Sequence, residues 1–344
     1  MFDETKCEFC GKCLSKCNYI DVNGEKAGEE LKKLYEDGNV EWLNDCITCF
    51  ACNEYCPNGA RPFDLIISRL EEKGTFLNED QFEQVAEHFR AKSEPRPVEL
   101  KSRVISLCVM KNIVPWTVGG EIFENEDLTV LRGLPYFCNV VFLHLGSESI
   151  IKERINKVID NLAQSGAEEI IFFHEDCYAL FTDMASKYGL DVPFKAVHLI
   201  EYLRDYLKEN SDRVTKLNMN IAYQRPCASR FTPPEVEDIL NEIFDMIGVN
   251  RVSREYDGVD ALCCGTDIAL PDMKLNLRKE RLEPFRESNI KDAVDSGAEA
   301  LVYQCPMCFR ALHKNAASAG LNNYMVTDLC RLALGEELPE DKPL

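Results

Sequence analysis

The chain has 344 residues, room for two or three domains, and a hydrophobic share of 45% that supports full cores. Its net charge of −20 argues against a nucleic-acid partner, whose phosphates require a basic face. No apolar run approaches the ~20 residues of a membrane helix, and Met1-Phe2-Asp3-Glu4 lacks the basic and apolar parts of a signal peptide. The expectation is a cytoplasmic protein in which the 17 cysteines serve as metal ligands rather than disulfides.

Within the first 60 residues one cysteine spacing occurs twice. Cys7, Cys10, Cys13 and Cys17 form Cys-x-x-Cys-x-x-Cys-x-x-x-Cys, and Cys46, Cys49, Cys52 and Cys56 repeat it ahead of Pro57. This is the run of bacterial two-cluster ferredoxins, in which the fourth cysteine of each run ligates the other run's cluster. One 4Fe–4S cubane is therefore expected on Cys7, Cys10, Cys13 and Cys56, and a second on Cys46, Cys49, Cys52 and Cys17. Asn18 takes the usual proline's place after the first run, which removes no ligand. Between the runs, Glu29 to Val40 reads as a helix stopped near Gly38. That intervening helix resembles the α-helical ferredoxin variant of succinate dehydrogenase and heterodisulfide reductase relatives.

From residue 74 to 100 the pattern predicts a helical connector and then an extended linker around Glu94-Pro95-Arg96-Pro97, where proline disfavours helix on both sides. After Lys101 short apolar runs alternate with helical patterns. Strands are expected at Val104–Val109, Val140–Leu145, Ile170–Phe173, Asn220–Gln224 and Leu301–Gln304. Helices are expected at Glu148–Ser165, Pro233–Ile247 and around Asp272–Ser296. The predicted class is α/β with mostly parallel sheets covered by helices. Thr232, with Pro233 and Glu235, reads as a capping box for its helix.

The second half carries Cys227, then Leu262-Cys263-Cys264-Gly265, then Cys305-Pro306-Met307-Cys308. Five thiolates exceed the four ligands of tetrahedral zinc and suit a larger iron–sulfur assembly. The pattern resembles the CCG domain of the heterodisulfide reductase family. That resemblance implies a non-cubane 4Fe–4S cluster on Cys227, Cys263, Cys264, Cys305 and Cys308, at a site that reduces disulfides. Arg225 and Arg230 flank Cys227, and Arg278, Lys279 and Arg281 follow the Cys-Cys-Gly; they read first as a solvated helix face. Cys330 is expected to be buried packing.

The first α/β section repeats the second in reduced form. Gly166-Ala167-Glu168 through Leu190 aligns without gaps to Gly297-Ala298-Glu299 through Leu321, which sets His174 on Cys305 and Cys177 on Cys308. Cys138 falls in the region of Cys263–Cys264, and Cys108 near the place of Cys227. Cys108, Cys138, His174 and Cys177 suit one tetrahedral zinc; a cubane with a histidine ligand and simple burial of the thiols are the competing readings.

The expected organisation is a two-cluster ferredoxin module at 1–73, a connector and linker at 74–100, a degenerate CCG-type domain at 101–215, a complete CCG domain at 216–335 and a tail at 336–344. The resemblance implies a fused heterodisulfide reductase-like subunit, an oxidoreductase with a thiol or disulfide substrate. Authentic family members carry two complete motifs, whereas this chain carries one. The alternative is an electron-transfer subunit of a flavin-dependent glycolate, lactate or glycerol 3-phosphate dehydrogenase. No glycine-rich phosphate fingerprint follows a strand, so electrons must come from another redox subunit, a flavoprotein or a hydrogenase or dehydrogenase.

Overall fold

The computed structural model describes residues 1–90, 95, 99–101, 103–110, 116–124, 128–265 and 279–339, the side chains of 279 and 280 excepted. Ahead of the first strand the described chain is helical, with α-helices at Lys12–Ser15, Ala27–Asp37, Ala51–Tyr55, Pro62–Lys73 and Glu79–His88. The helix between the two cysteine runs ends where Gly38 turns left-handed (φ 68°) and returns its N–H to Leu34. Its buried residues, Ala27, Leu31 and Leu34, recur at helical spacing.

Eight strands follow among the described residues: β1 (Arg103–Ser106), β2 (Leu128–Leu131), β3 (Glu169–Phe172), β4 (Lys195–His198), β5 (Met219–Gln224), β6 (Val249–Arg251), β7 (Ala300–Tyr303) and β8 (Asn322–Met325). They form two four-stranded sheets, ordered β2-β1-β3-β4 and β6-β5-β7-β8, and every pairing is parallel. The α/β class is thus as the sequence indicates, and the equal strand orders match the internal repeat. Central strands are apolar on both faces, as in Ala300–Tyr303, because helices cover both sides. One core joins the sheets, with Ile105 and Phe173 of the first unit in the same cluster as Ile221, Tyr223 and Leu301 of the second.

Several local expectations are corrected. Residues 140–145 are not a strand: Asn139 is left-handed (φ 62°) and the chain turns into a helix at Val141–His144. The second strand of that sheet is instead β2, whose pattern of three buried residues is too short to stand out. The capping box at Thr232 does not form. Pro233 holds Thr232 extended, its hydroxyl donates to Ser229 O (2.9 Å), and the helix begins at Glu235. The helix expected around 272–296 spans Lys279–Asp295; residues 272–278 lie outside the described residues, as do Glu94, Arg96 and Pro97. Among the described residues no helix is long and apolar enough to cross a membrane.

Candidate functional site

The two cysteine runs adopt one backbone. The residue before and the residue after the second cysteine are left-handed in each, Phe9 and Gly11 in the first (φ 48° and 72°), Thr48 and Phe50 in the second (φ 57° and 67°). At Gly11 a side chain is impossible, since a Cβ would lie 2.3 Å from Gly28 N. Phe50 tolerates its strain by packing against Phe63, Phe231 and His144. These turns point backbone N–H groups at sulfur, as Thr48 N–H does at Cys46 Sγ (3.4 Å).

The fourth cysteine of each run lies among thiols of the other run. Burial raises Cys13 to about 12, and the charges added by Cys56, Cys7 and Cys10 push the same way. Burial likewise raises Cys52, helped by Cys13, Cys46, Cys49 and Cys17. Each run's last thiol therefore belongs to the neighbourhood of the other run. All eight cysteines are free.

In the second unit Cys227 follows β5, Cys263 and Cys264 follow β6, and Cys305 and Cys308 follow β7, at the carboxyl ends of strands where open α/β sheets form sites. The five thiols form one chain of contacts. Cys227 Sγ stands 3.1 Å from Cys263 Sγ. Hydrogen bonding to Cys227 and Cys264 raises the Cys263 thiol, and bonding to Cys264 and Cys305 raises Cys308. Cys305 is lowered to about 6, first by its hydrogen bond from Cys308 and further by His174, against the effect of burial. A cavity of about 310 Å³ has all five thiols in its wall, together with Cys108, Cys138, His144 and His174. Five free sulfur donors crowded into one buried wall fit an iron–sulfur group held by thiolates.

The Cys-Cys-Gly backbone is held on three sides. Cys263 N–H donates to Tyr19 Oη (2.8 Å), Gln224 Nε2 donates to Leu262 O (2.9 Å), and buried Arg286 donates to Cys264 O (2.9 Å) and to Gly265 O. Gly265 is left-handed (φ 57°), and a Cβ there would press on Leu282 at 3.0 Å. None of these supports was legible in the sequence, although Tyr19 follows the ligand candidate Cys17 by only two positions.

Among the described residues, the arginines around the motif are paired with carboxylates rather than left as a solvated face. Arg225 and Arg230 are buried, and Arg225 forks onto Glu54 (2.7 and 2.8 Å), which lies between Cys52 and Cys56. Arg230 approaches the same carboxylate (3.4 Å), and Arg281 pairs with Asp45 (2.6 Å). They clamp the N-terminal module onto the second unit because its carboxylates face them. Arg278 lies outside the described residues, and nothing is described of the Lys279 side chain. Across that joint Cys49 is raised by burial and also by the charges of Cys17 and Cys227, so thiols of both sites influence one another there.

In the first unit Cys108, Cys138 and Cys177 bring their sulfurs within 4.8 Å of one another, all buried. The Cys108–Cys138 separation is 3.8 Å, and a tetrahedron with Zn–S bonds of ~2.3 Å has edges of about 3.8 Å. Burial raises Cys108, but hydrogen bonds from Cys138 and Cys177 outweigh it and hold this thiol well below its usual value. His174, expected as a ligand alongside Cys138 and Cys177, stands outside this group of three thiols. Its Nε2 is 3.2 Å from Cys305 Sγ and its Nδ1 3.3 Å from Asp176 Oδ2. Cys330 is fully buried on the helix Val326–Ala333.

Fold and site together set a CCG-type cysteine motif at the carboxyl ends of a parallel sheet. The CCG cysteine-rich domain model matches residues 221–313. Along nearly its whole length the chain is similar to a subunit of dihydromethanophenazine:CoB–CoM heterodisulfide reductase. It is 22% identical to that of Methanosarcina acetivorans, covering 89% of this chain and 87% of the relative. To that of Methanosarcina mazei it is 23% identical, covering 96% and 94%. A hypothetical protein from Helicobacter pylori shares the fold, with a TM-score of 0.57 at 13% identity, over 89% of this chain and 66% of that structure.

Proposed function

We propose that the chain is an oxidoreductase-type iron–sulfur subunit of a heterodisulfide reductase-like complex, in which electrons enter at 1–73 and leave at the CCG site. The division into 1–73, 74–100, 101–215, 216–335 and 336–344 belongs to this reading. Residues Cys7, Cys10, Cys13 and Cys56 would hold one cubane and Cys46, Cys49, Cys52 and Cys17 another. Cys227, Cys263, Cys264, Cys305 and Cys308 would hold a non-cubane cluster. Clusters bound there supply one-electron steps. Reducing a disulfide consumes two electrons and two protons, breaks its S–S bond and leaves two thiols, so a partner redox subunit must deliver electrons singly and twice.

The observation that carries this reading is the joint itself, where Cys17, Cys49 and Cys263 pack against one buried cluster that holds Tyr19. Arg225 pairs with Glu54 and Arg281 with Asp45 across the joint, and Ile47, Leu262 and Leu282 pack with Tyr19 to keep water out. Cys108, Cys138 and Cys177 we assign to one zinc, an assignment supported by their sulfur spacing.

The test is EPR with iron, sulfide and zinc analysis of anaerobically purified protein, with and without added thiols. An oxidised-state signal that responds to thiols is expected, and Cys264→Ser should abolish it while both cubanes stay reducible. About one zinc per chain should accompany the iron. An unchanged signal in the variant rejects the CCG assignment; a signal indifferent to thiols favours a relay that reduces no disulfide itself.

A further inference from the structure

The two α/β units touch through equivalent residues. His174 Nε2 meets Cys305 Sγ at 3.2 Å, and Gln304 Nε2 donates to Phe173 O at 3.4 Å. Both pairs are 131 positions apart, the interval between Gly166 and Gly297. Residues that contact their own repeats lie on a twofold axis, here a pseudo-twofold within one chain. The same axis sets the loop after β3 against the loop after β7, so a donor at the first unit's position reaches the second unit's site.

His174 fits that position chemically. It is 5% exposed and lines the cavity walled by the five thiols. It precedes the helix Glu175–Ala179 as Cys305 precedes the helix Pro306–Ser318. Asp176 Oδ2, 3.3 Å from Nδ1, is placed to accept the Nδ1 proton, and Nε2 faces Cys305 Sγ on the cavity side. A carboxylate behind an imidazole is the usual arrangement that orients a metal-ligating histidine. Meanwhile the three thiols of the first unit close on one another without it.

We propose that His174 is a sixth donor of the CCG site, a nitrogen ligand contributed by the first α/β unit, with Asp176 as its positioning residue. The inference rests on the iron–sulfur reading above. The first unit then acts as the lid of the second unit's site as well as the holder of its own metal.

The test uses the whole chain, purified anaerobically after growth with 15N-histidine, so that no variant has to fold. Pulsed EPR on the thiol-responsive signal should show the hyperfine coupling of a directly bound imidazole nitrogen. In His174→Ala that coupling should vanish and the g-values shift, with zinc content unchanged. In Asp176→Asn the coupling should persist with altered magnitude. Absence of any histidine coupling in the labelled wild type overturns the proposal. So does a variant that loses zinc but keeps the original signal. A wild type without iron, sulfide or the signal itself would instead remove the underlying reading.

Discussion

His198 is a buried histidine whose chemistry the fold dictates in detail. It is fully buried at the start of the helix Leu199–Glu209, where its Nδ1 accepts the N–H of Ile200 (3.1 Å). Nδ1 is thus the unprotonated nitrogen, and Nε2 carries the proton of the neutral ring. Burial lowers its pKa to about 3. Glu175 stands 3.8 Å from Nε2, but burial raises that carboxyl to about 8, so it brings no compensating charge at or below neutral pH. Because the folded pKa lies below the unfolded one, the unfolded chain binds the extra proton. Stability from this group is whole above pH ~6.5 and falls by about 1.4 kcal/mol per pH unit as pH drops toward 3. In His198→Asn, whose side-chain oxygen can still cap the helix, the pH 5–6.5 dependence of denaturant midpoints should flatten by about one proton. Equal slopes in the two proteins would contradict this. Sequence could not single His198 out from the other four histidines, because its role depends on a strand, β4, too short to announce itself. The thirteen cysteines of the ferredoxin and CCG motifs were legible for the opposite reason: spacing alone encodes which sulfurs converge.

At the scale of elements, the turn geometry of the cysteine runs explains why repeats of sequence become repeats of shape. Each run bends through two left-handed residues around its second cysteine and carries its fourth beyond a short helix, and in the proposed assignment that fourth sulfur serves the other run. Cys17→Ser should therefore damage the cluster of Cys46, Cys49 and Cys52, and Cys56→Ser that of Cys7, Cys10 and Cys13. Reduced-state EPR and iron counts of the two variants decide it; loss of the same-run cluster in each would reverse the assignment. The strands missed from sequence, β2, β4, β6 and β8, share a physical cause. All four are sheet edges with one or more exposed or half-exposed residues, so their apolar runs are short or broken. The capping box at Thr232 failed because two consecutive prolines dominate the local backbone.

For the whole molecule, the decisive contacts are those between modules. Glu54 sits among the ferredoxin ligands and receives both arms of Arg225, with side chains 20% and 10% exposed. Glu54→Gln leaves Arg225 short of its partner and should cost about 2 kcal/mol, less than the ~3–5 kcal/mol of a fully buried pair because Glu54 keeps some water. A double-mutant cycle with Arg225→Met, read by denaturant unfolding, should return a coupling of about 1–2 kcal/mol; additive effects would show that the pair does not hold the joint. Such contacts were invisible in the sequence, where a charge beside a cysteine motif most often faces solvent and its partner lies far along the chain. Duplication ordinarily frees one copy to drift. Here the twins meet at matching positions, so a substitution at residue 174 alters what residue 305 faces. The two positions are thus physically bound to each other, and the half with fewer thiols supplies part of the wall around the other half's sulfurs.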